Sequence, residues 1–301
     1  MAQGDPQPLV SVIVVNYRGA DDTITCLRAL GTDLDYENIE LICVDNASGG
    51  DDAARIRAAV PDVKLIESER NLGFAGGCDL GAKHASGTVL GFLNNDARPA
   101  PAWVSAAVAE LRAQPAVAAV ASKVLDWDGT GADFIDAGLT WFGMGYKRHA
   151  GSPLRDVPAE EHDVAKDVLF GTGSAMFVRA AVFAELGGFD ERFFMFYEDV
   201  DLGWRLNLRG WRVRYEPDSI AYHRHHASMS EVDGKDTARE LYLLQRNALA
   251  MIYKNYSDET LARVMPAALS EGGLDAERLY QDVVRGEVPR QWIRGLQSLA
   301  Q

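Results

Sequence analysis

The chain has few cysteines and no long apolar run. Its three cysteines, Cys26, Cys43 and Cys78, form no CxxC pair and no even set. This excludes a disulfide framework and a cysteine-ligated zinc site, and it suits a reducing compartment. The first ten residues lack the basic and apolar regions of a signal peptide, and no stretch approaches the roughly 18–20 apolar residues of a membrane-spanning helix. We therefore expect a cytoplasmic protein, for which association with the inner face of a membrane stays open.

Positive charge is also scarce. Lysine and arginine number 30 against 44 aspartates and glutamates, so the formal net charge is −14. This balance argues against a nucleic-acid partner. If the protein binds an anionic nucleotide, it must neutralise that ligand locally, with a divalent cation or a few placed arginines. With 301 residues, 47% of them hydrophobic, the chain suits one large α/β domain with an appendage.

Apolar, β-branched runs alternate with helical patterns in the first half. The predicted strands are Leu9–Val15, Ile39–Val44, Val63–Glu67, Thr88–Leu93 and Val117–Ser122. Such near-continuous apolar strands separated by helices predict a mostly parallel sheet covered by helices. We expect a flexible tail at 1–8, the α/β domain at 9–230 with an irregular excursion over its sheet at about 126–166, and a helical appendage at 231–301.

Polar residues follow three of these strands. They are Asn16-Tyr17-Arg18, Asp45-Asn46 and Asn94-Asn95-Asp96. In parallel sheets ligands bind beyond the carboxyl ends of the strands. One carboxylate there can hold a hard divalent cation together with a substrate's phosphates and waters. Taken singly, each motif also has the composition of a polar turn.

A glycine-rich segment, residues 69–81 (ERNLGFAGGCDLG), follows the third predicted strand. A turn that opens a helix can direct backbone N–H groups at phosphate, and Arg70 is placed to meet a base or a phosphate. The spacing does not match G-x-G-x-x-G, which makes a dinucleotide fold a poor interpretation. Gly77 and Gly81 lie one helical turn apart and favour close packing of the helix on the sheet.

The segment 187–206 (GGFDERFFMFYEDVDLGWRL) carries the most information. On a helical wheel one stripe collects the charged residues Glu198, Asp201, Arg205 and Arg209, which we expect to face solvent. Glu198 and Asp201 would lie near the positive end of the helix dipole. Asp199 falls on the other side, near Gly203 and Leu206. A carboxylate in apolar surroundings has a raised pKa, which suits a general base.

Three histidines, His223, His225 and His226, follow a short predicted strand. Neutral imidazole is a metal ligand. No cysteine accompanies these residues, so a zinc site is not supported.

As a set, the segments VSVIVVNY, VDNAS, RNLGFAGG, LNND, GTGSAMFVR, GGFDERFFMFYEDVDLGWRLNLRGW and AYHRHHAS resemble the family 2 glycosyltransferases of the GT-A fold. The resemblance covers roughly residues 9 to 228. It is strongest to the bacterial rhamnosyltransferase-like and galactofuranosyltransferase-like members.

The resemblance implies roles for particular residues. Nucleotide binding is implied for Asn16, Tyr17, Asp45, Arg70 and Asn95. The family's DxD motif reads Asn94-Asn95-Asp96 here, so a single carboxylate, Asp96, would bind the metal together with His223. Asp199 would be the catalytic base. A loop beside the donor sugar and acceptor would include Gly173 and Ser174, with Glu198 and Trp204.

The expected protein is thus an inverting glycosyltransferase that uses Mg²⁺ or Mn²⁺. The resemblance favours a dTDP- or UDP-linked donor, such as rhamnose or galactofuranose, and a glycan or lipid-linked acceptor in the cell envelope. Homo-oligomerisation stays open. The alternative is a non-catalytic nucleotide- or carbohydrate-binding module on the same scaffold. A sugar nucleotidyltransferase would need a basic glycine-rich signature after the first strand, where the sequence reads NYRGADD.

Overall fold

The computed structural model describes residues 7–224 and 235–271. The strands are β1 Val10–Asn16, β2 Ile39–Asp45, β3 Lys64–Glu67, β4 Val89–Leu93, β5 Ala97–Pro99, β6 Val117–Asp126, β7 Ala132–Phe134, β8 Ala137–Leu139, β9 Gly145–Lys147, β10 Lys166–Val168, β11 Ala175–Arg179 and β12 Arg212–His223. The α-helices are α1 Ala20–Thr32, α2 Asp52–Ala59, α3 Gly73–Lys83, α4 Trp103–Ala113, α5 Ala159–His162, α6 Ala180–Glu185, α7 Glu198–Leu208, α8 Lys235–Asn255 and α9 Asp258–Glu271.

The main sheet has the order β10-β12-β6-β11-β4-β1-β2-β3, with β5 paired to β12 and β7 to β6. Strands β4, β1, β2 and β3 are parallel to one another, as are β6 and β12. β11 runs antiparallel between β4 and β6. The predicted mostly parallel α/β sheet is confirmed. All five predicted strands are present, and the largest difference is at β6, which continues to Asp126.

The register brings the carboxyl ends of distant strands to one edge. Asn16 at the end of β1 lies opposite Asp45 at the end of β2. His223, the last residue of β12, lies opposite Asp126 of β6 and Ala97 of β5. β12 reaches this edge through a register shift between residues 216 and 220, where Pro217 lies in the strand. Proline cannot donate to the ladder, and a bulge accommodates it.

Helix α3 packs so close to the sheet that two of its positions have room only for glycine. A Cβ atom on Gly77 would lie 2.9 Å from Val15 Cγ1, and one on Gly81 would lie 2.5 Å from Ile13 Cγ2. The close approach predicted from the glycine spacing is confirmed. It sets the position of the α3 N-terminus, and therefore of the loop that precedes it.

The chain divides into two compact units. The first comprises Met1–Gly138 and Lys147–Ser230, and the second comprises Leu139–Tyr146 and Glu231–Gln301. Within the second unit the segment around Gly143 packs on α8, since a Cβ there would lie 1.9 Å from Ile252 Cγ2. Sequence reasoning assigned this segment to the excursion over the sheet. No helix in the described ranges is long and apolar enough to cross a membrane. The predicted tail at 1–8 lies mostly outside the described residues.

The packing of α3 predicts opposite effects for two Gly-to-Ala substitutions. Gly81→Ala forces a methyl group onto Ile13, and overpacking of this kind costs about 1–3 kcal/mol. Gly31→Ala, in α1 with no neighbour within 4 Å of the added atom, should gain up to about 1 kcal/mol from helix propensity. Urea unfolding measures both. Equal stability of the two variants would contradict the assigned packing.

Candidate active site

A buried hydrogen-bond network joins the carboxyl ends of β1, β2 and β4. Asn16 Nδ2 donates to Asp45 Oδ1 at 2.8 Å and to Ser48 Oγ at 2.9 Å. Asn16 Oδ1 accepts from Thr23 Oγ1 at 2.7 Å, and Thr23 accepts from Asn95 Nδ2 at 3.1 Å. The structure therefore brings together three of the predicted nucleotide-binding residues, Asn16, Asp45 and Asn95. Asn16 has no exposed surface, so its effect on a ligand would come through the orientation of Asp45.

Tyr17 presents an open ring beside this network. It is 43% exposed, and the Arg18 guanidinium lies 5.1 Å from the ring centroid. An exposed aromatic face next to a cation can receive a stacked base. Arg70, also predicted to bind nucleotide, is exposed on the loop after β3. Its carbonyl oxygen accepts from Ser68 Oγ at 2.7 Å.

Asn46, which follows Asp45, holds the loop that opens α3. Its Oδ1 accepts from the Leu72 N–H at 2.8 Å, and its Nδ2 donates to the Gly73 carbonyl at 2.9 Å and to Asn71 Oδ1 at 3.1 Å. The end of β2 is thereby joined to the start of α3. Sequence reasoning gave Asn46 no such role, although its place in the Asp-Asn motif was the available signal.

The turn before α7 has an unusual backbone. Phe194, Phe196 and Tyr197 have positive φ angles of 65°, 71° and 68°, a conformation that costs a non-glycine residue about 1–3 kcal/mol. The Phe194 carbonyl accepts from the Ala75 N–H at 3.2 Å. At Gly73, with φ +72°, a Cβ would lie 2.2 Å from that carbonyl oxygen. Glycine at position 73, in the loop before α3, therefore leaves room for the strained turn that precedes Asp199, the predicted base.

Asp79 of α3 holds the segment that leads into this turn, at Phe189. Its Oδ1 accepts from the Phe189 N–H at 3.0 Å, and a Cβ on Gly188 would lie 2.6 Å from that oxygen. Burial, reinforced by the charge of Glu191, raises the pKa of Asp79 to about 7, against the opposing effect of the Phe189 N–H. Lys83, one turn further along α3, has its Nζ 3.7 Å from Glu191 Oε1.

The adjacent carboxyl groups of Glu198 and Asp199 occupy the first turn of α7. Asp199 Oδ2 accepts from the Gly173 N–H, and Oδ1 accepts from the Val200 N–H, each at 2.8 Å. Glu198 is 4% exposed, and within the described part of the chain its Oε2 has no hydrogen-bond partner. Burial raises the pKa of both carboxyl groups, well above the usual range for Glu198. The two backbone donors and the charge of Lys147 oppose the rise in the pKa of Asp199.

Of the two neighbouring carboxyl groups, Asp199 is the one whose charged form is stabilised by hydrogen bonds from backbone N–H groups. The raised pKa predicted for Asp199 from the helical wheel is confirmed in direction.

The solvent-facing stripe predicted for α7 is wrong at two positions. Glu198 and Asp201 are both buried, Asp201 completely. Arg205 Nε donates to Asp201 Oδ2 at 2.7 Å, and its other nitrogens donate to the carbonyls of Leu186 and Gly188. The reason is that segment 186–197 folds over this face of the helix, so that an ion pair that the wheel placed in water is enclosed. Removing one partner of such a pair costs about 3–5 kcal/mol.

At the same edge of the sheet, near the ends of β4 and β12, four ionisable groups contact one another in series. His223 Nε2 lies 3.0 Å from Asp96 Oδ1, and His223 Nδ1 lies 2.9 Å from Asp133 Oδ2. Asp133 Oδ1 in turn accepts from Lys147 Nζ at 2.9 Å. Burial alone would lower the pKa of His223, but the hydrogen bonds to Asp133 and Asp96 outweigh it and raise the pKa to about 9. His225 and His226 lie outside the described residues.

Asp96 and His223 fit the requirements of a divalent cation. They place a carboxylate oxygen and an imidazole nitrogen 3.0 Å apart, and the second imidazole nitrogen contacts a carboxylate, as it does in most metal-binding histidines. In residues 7–224 and 235–271 no group of three His, Cys, Asp or Glu side chains has the spacing of a complete metal cage. An ion here would take its remaining ligands from a diphosphate and water, which is the usual pattern for Mg²⁺.

The loop predicted to lie beside donor and acceptor connects the two halves of the site. The Asn94 N–H donates to the Ser174 carbonyl at 3.0 Å, while the neighbouring Gly173 holds Asp199. A Cβ on Gly173 would also lie 3.5 Å from Glu198 Oε1. Trp204 is half-buried on α7, about one and a half turns beyond Asp199.

Asp133 and Lys147 were missed by sequence reasoning. Both lie in the segment that was interpreted as an irregular excursion. Asp133 meets His223 across 90 residues of chain, and no local pattern marks a contact of that separation.

These features define a class of protein. GalNAc-T7, solved with UDP, GalNAc and Mn²⁺, aligns with a TM-score of 0.64 over 91% of this chain and 53% of its own, at 16% identity. The mannosyltransferase PcManGT of Pyrobaculum calidifontis, solved with GDP-Man and Mn²⁺, aligns with a TM-score of 0.59 over 98% of this chain and 86% of its own, at 19% identity. The chain has the GT-A fold.

The family follows from the sequence comparisons. The profile of Glycosyl transferase family 2 matches residues 11–186, and the chain belongs to that family. Over 226 residues, 73% of the chain, it is 31% identical to the O-antigen biosynthesis protein RfbC of Myxococcus xanthus, of which it spans 18%. Over 71 residues, 23% of the chain, it is 44% identical to the N-acetylglucosaminyl-diphospho-decaprenol L-rhamnosyltransferase of Mycobacterium tuberculosis, of which it spans 22%. The resemblance seen in the motifs is confirmed.

The buried Asp79 predicts a pH dependence of stability. Its pKa is about 7 in the folded chain and near 3.9 when unfolded, so the folded state loses stability as pH rises from about 4 to 7. Asp79→Asn keeps an acceptor for Phe189 and removes this loss. We expect the variant to gain up to about 4 kcal/mol over the wild type at pH 8, and much less at pH 4.5. Urea unfolding at the two pH values measures the difference.

The matched control is Asp62→Asn, which alters an exposed carboxylate in the loop before β3. It should leave the pH dependence as in the wild type. A constant difference between Asp79→Asn and the wild type across pH would contradict the raised pKa.

Proposed function

We propose that this chain transfers a sugar from a nucleoside-diphosphate donor to an acceptor hydroxyl, with inversion at the anomeric carbon. The observation that carries the proposal is the position of Asp199. Its carboxylate is held by the Gly173 N–H, and the next residue of that loop accepts from Asn94, two residues before Asp96. A proton acceptor and a diphosphate-binding edge are thus joined by a single loop.

The nucleotide would occupy the ends of β1 and β2. Tyr17 offers its exposed ring to the base, and Asp45 offers a carboxylate to N–H or O–H groups of the base or ribose. Asn16 and Asn95 would contribute indirectly, because their hydrogen bonds hold Asp45 and Thr23 in position. Arg70 would reach the nucleotide from the loop after β3, where its side chain is exposed.

Asp199 removes the proton from the acceptor hydroxyl as the oxygen attacks the anomeric carbon. The bond from that carbon to the diphosphate breaks, the electron pair leaves with the diphosphate, and the proton stays on the carboxyl group. Each Asp199 oxygen accepts one backbone N–H and retains capacity for a further hydrogen bond. Because the acceptor attacks from the face opposite the leaving group, the configuration inverts.

Glu198 supports this role by remaining protonated. With Glu198 neutral, the charge on Asp199 has no ionised carboxylate directly beside it in the chain, and the helix dipole and two backbone donors stabilise it. Two adjacent ionised carboxylates would repel each other and would raise the energy of the base. Gly173, Ser174 and Trp204 would line the space for the donor sugar and the acceptor.

A divalent cation, Mg²⁺ or Mn²⁺, bound by Asp96 and His223 would stabilise the negative charge of the departing diphosphate. A cation bound at this pair would also neutralise the anionic nucleotide locally, which a protein with a net charge of −14 requires. The two GT-A structures above were solved with Mn²⁺, which supports this part of the proposal.

The names of the relatives support a cell-envelope substrate. One takes part in O-antigen biosynthesis, and another is a rhamnosyltransferase acting on a diphospho-decaprenol. We therefore infer a dTDP- or UDP-sugar such as rhamnose or galactofuranose as donor, and a glycan or lipid-linked acceptor. The place of action would be the cytoplasm, at the inner face of the membrane for a lipid-linked acceptor. The three free, buried cysteines are consistent with a reducing compartment.

Replacing the base tests the mechanism. We expect Asp199→Asn to lower kcat by about 10²–10⁴-fold, with nucleotide binding unchanged because Asp45 and Tyr17 are untouched. Asp62→Asn, in the loop before β3, is the matched control. In the wild type, kcat/KM should fall on the acid side at a pH above the usual aspartate range, since burial raises the pKa of Asp199. Turnover near wild type in Asp199→Asn would exclude this residue as base.

Donor hydrolysis without acceptor separates an enzyme from a binding module. A glycosyltransferase should release free sugar slowly from its donor, and Asp199→Asn should lower that rate. A chain that binds nucleotide sugars tightly and shows no turnover with or without acceptor would be a binding module instead.

Metal dependence is tested separately with Asp96→Asn. Activity of the wild type should be lost in excess chelator and restored by Mn²⁺ or Mg²⁺. Asp96→Asn should require a higher Mn²⁺ concentration for half-maximal activity, by at least about tenfold. Full activity of the wild type in chelator would exclude the ion from the mechanism.

A further inference from the structure

Asp133 is a buried carboxylate that the proposed reaction leaves without a role. Its side chain is 4% exposed, and it contacts His223 on one oxygen and Lys147 on the other. Buried carboxylates are costly unless paired. The question is whether Asp133 only balances the charge of Lys147 or acts on His223.

Its place in the sheet is determined by strand pairing. Asp133 lies in the middle of β7, which pairs with the end of β6. β6 pairs in turn with the end of β12, where Asp126 is opposite His223. Asp133 is thus carried to the Nδ1 side of the imidazole by the main sheet rather than by a mobile side chain. The Oδ2–Nδ1 distance of 2.9 Å is that of a hydrogen bond.

We propose that Asp133 is a positioning residue that holds the His223 ring with Nδ1–H donated to Oδ2 and with the Nε2 lone pair on the side of Asp96, where the two residues would hold a divalent cation. The inference rests on the metal site of the proposed function. It adds a residue to that site and assigns the tautomer of its histidine.

The acidic motif of this chain supports the proposal. Where the family's motif carries two carboxylates, the sequence here reads Asn94-Asn95-Asp96, and Asn94 Nδ2 lies 3.1 Å from His223 Nε2. With one carboxylate, more of the affinity must come from the imidazole. A carboxylate on the far ring nitrogen fixes the orientation of a ligating histidine and makes it a better electron donor. Asp133 would thus restore through His223 part of what the missing carboxylate would supply.

Lys147 keeps Asp133 in this role. Its Nζ donates to Oδ1, while Oδ2 is the oxygen that contacts the ring at Nδ1. The Lys147 ammonium group also balances the negative charge of Asp133, which is buried at the same edge of the sheet as Asp96.

The test measures Mn²⁺ binding to the full chain from the loss of the free-ion EPR signal, with Mn²⁺ added alone. Asp133→Asn preserves size but can present an N–H to Nδ1, which favours the tautomer whose Nε2 carries the proton. We expect it to weaken Mn²⁺ binding by about 10–100-fold. The control is Asp136→Asn, three residues further on, whose carboxylate pairs with Arg148 and Lys166. It should stay within about twofold of the wild type.

Coupling to His223 is read from a double-mutant cycle. His223→Ala should weaken Mn²⁺ binding, and adding Asp133→Asn to it should cause little further loss, because Asp133 acts through the ring. Additive losses would overturn the proposal. If His223→Ala weakens binding and Asp133→Asn does not, the positioning role fails while the metal site survives. If neither His223→Ala nor Asp96→Asn affects binding, the metal site of the proposed function fails as well.

If Asp133→Asn does not fold, an NMR measurement on the wild-type protein tests the proposed tautomer of His223 instead. In ¹⁵N-histidine NMR with saturating Mg²⁺, the His223 signal, assigned by its absence in His223→Ala, should report a proton on Nδ1 and none on Nε2. A proton on Nε2 under these conditions overturns the proposal.

Discussion

Buried negative charge at one edge of the sheet is the constraint on which the site depends. Five carboxyl groups gather there. Four have different partners: Asp45 has Asn16 and Ser48, Asp96 has His223, Asp133 has Lys147 and His223, and Asp199 has backbone N–H groups. The fifth is Glu198, whose pKa is raised by burial. A carboxylate in a low-dielectric site is costly unless it is paired. The pairing therefore differs among these groups in a way that bears on their proposed roles. Asp199 accepts one backbone N–H on each oxygen and retains capacity for a further hydrogen bond, whereas Asp45 and Asp133 accept from neighbouring side chains.

The second constraint is the turn that leads into α7. Three of its residues, Phe194, Phe196 and Tyr197, have positive φ, and Gly73 leaves room for the Phe194 carbonyl. Earlier in the same segment, Asp79 accepts from the Phe189 N–H. Asn46 ties the Gly73 loop to the end of β2. The nucleotide side and the proposed base are thus parts of one hydrogen-bonded structure. Strain at such a turn persists because its neighbours determine its conformation.

Local pattern predicted much of the fold. Apolar runs identified the five strands, and glycine spacing identified the close packing of α3 on the sheet, because both depend on residues near one another in sequence. The helical wheel predicted a raised pKa at Asp199 but placed Glu198 and Asp201 in water. A wheel describes an isolated helix, and it contains no information about segment 186–197, which covers that face. The antiparallel strand β11 between two parallel strands was likewise invisible to periodicity, which does not record strand direction.

By itself, the sequence determined the class of fold, the family and the residue types at the strand ends, since motif order and spacing are properties of the chain. Only the tertiary structure decided how these residues are used. It showed Asn16 to be buried and bonded to Asp45, and it left Glu198 Oε2 without a partner among the described residues. It also brought Asp133 and Lys147 to His223 from a segment that looked irregular. The physical reason is that hydrogen bonding and burial depend on contacts across tens of residues. Strand pairing creates those contacts, and local composition does not encode them.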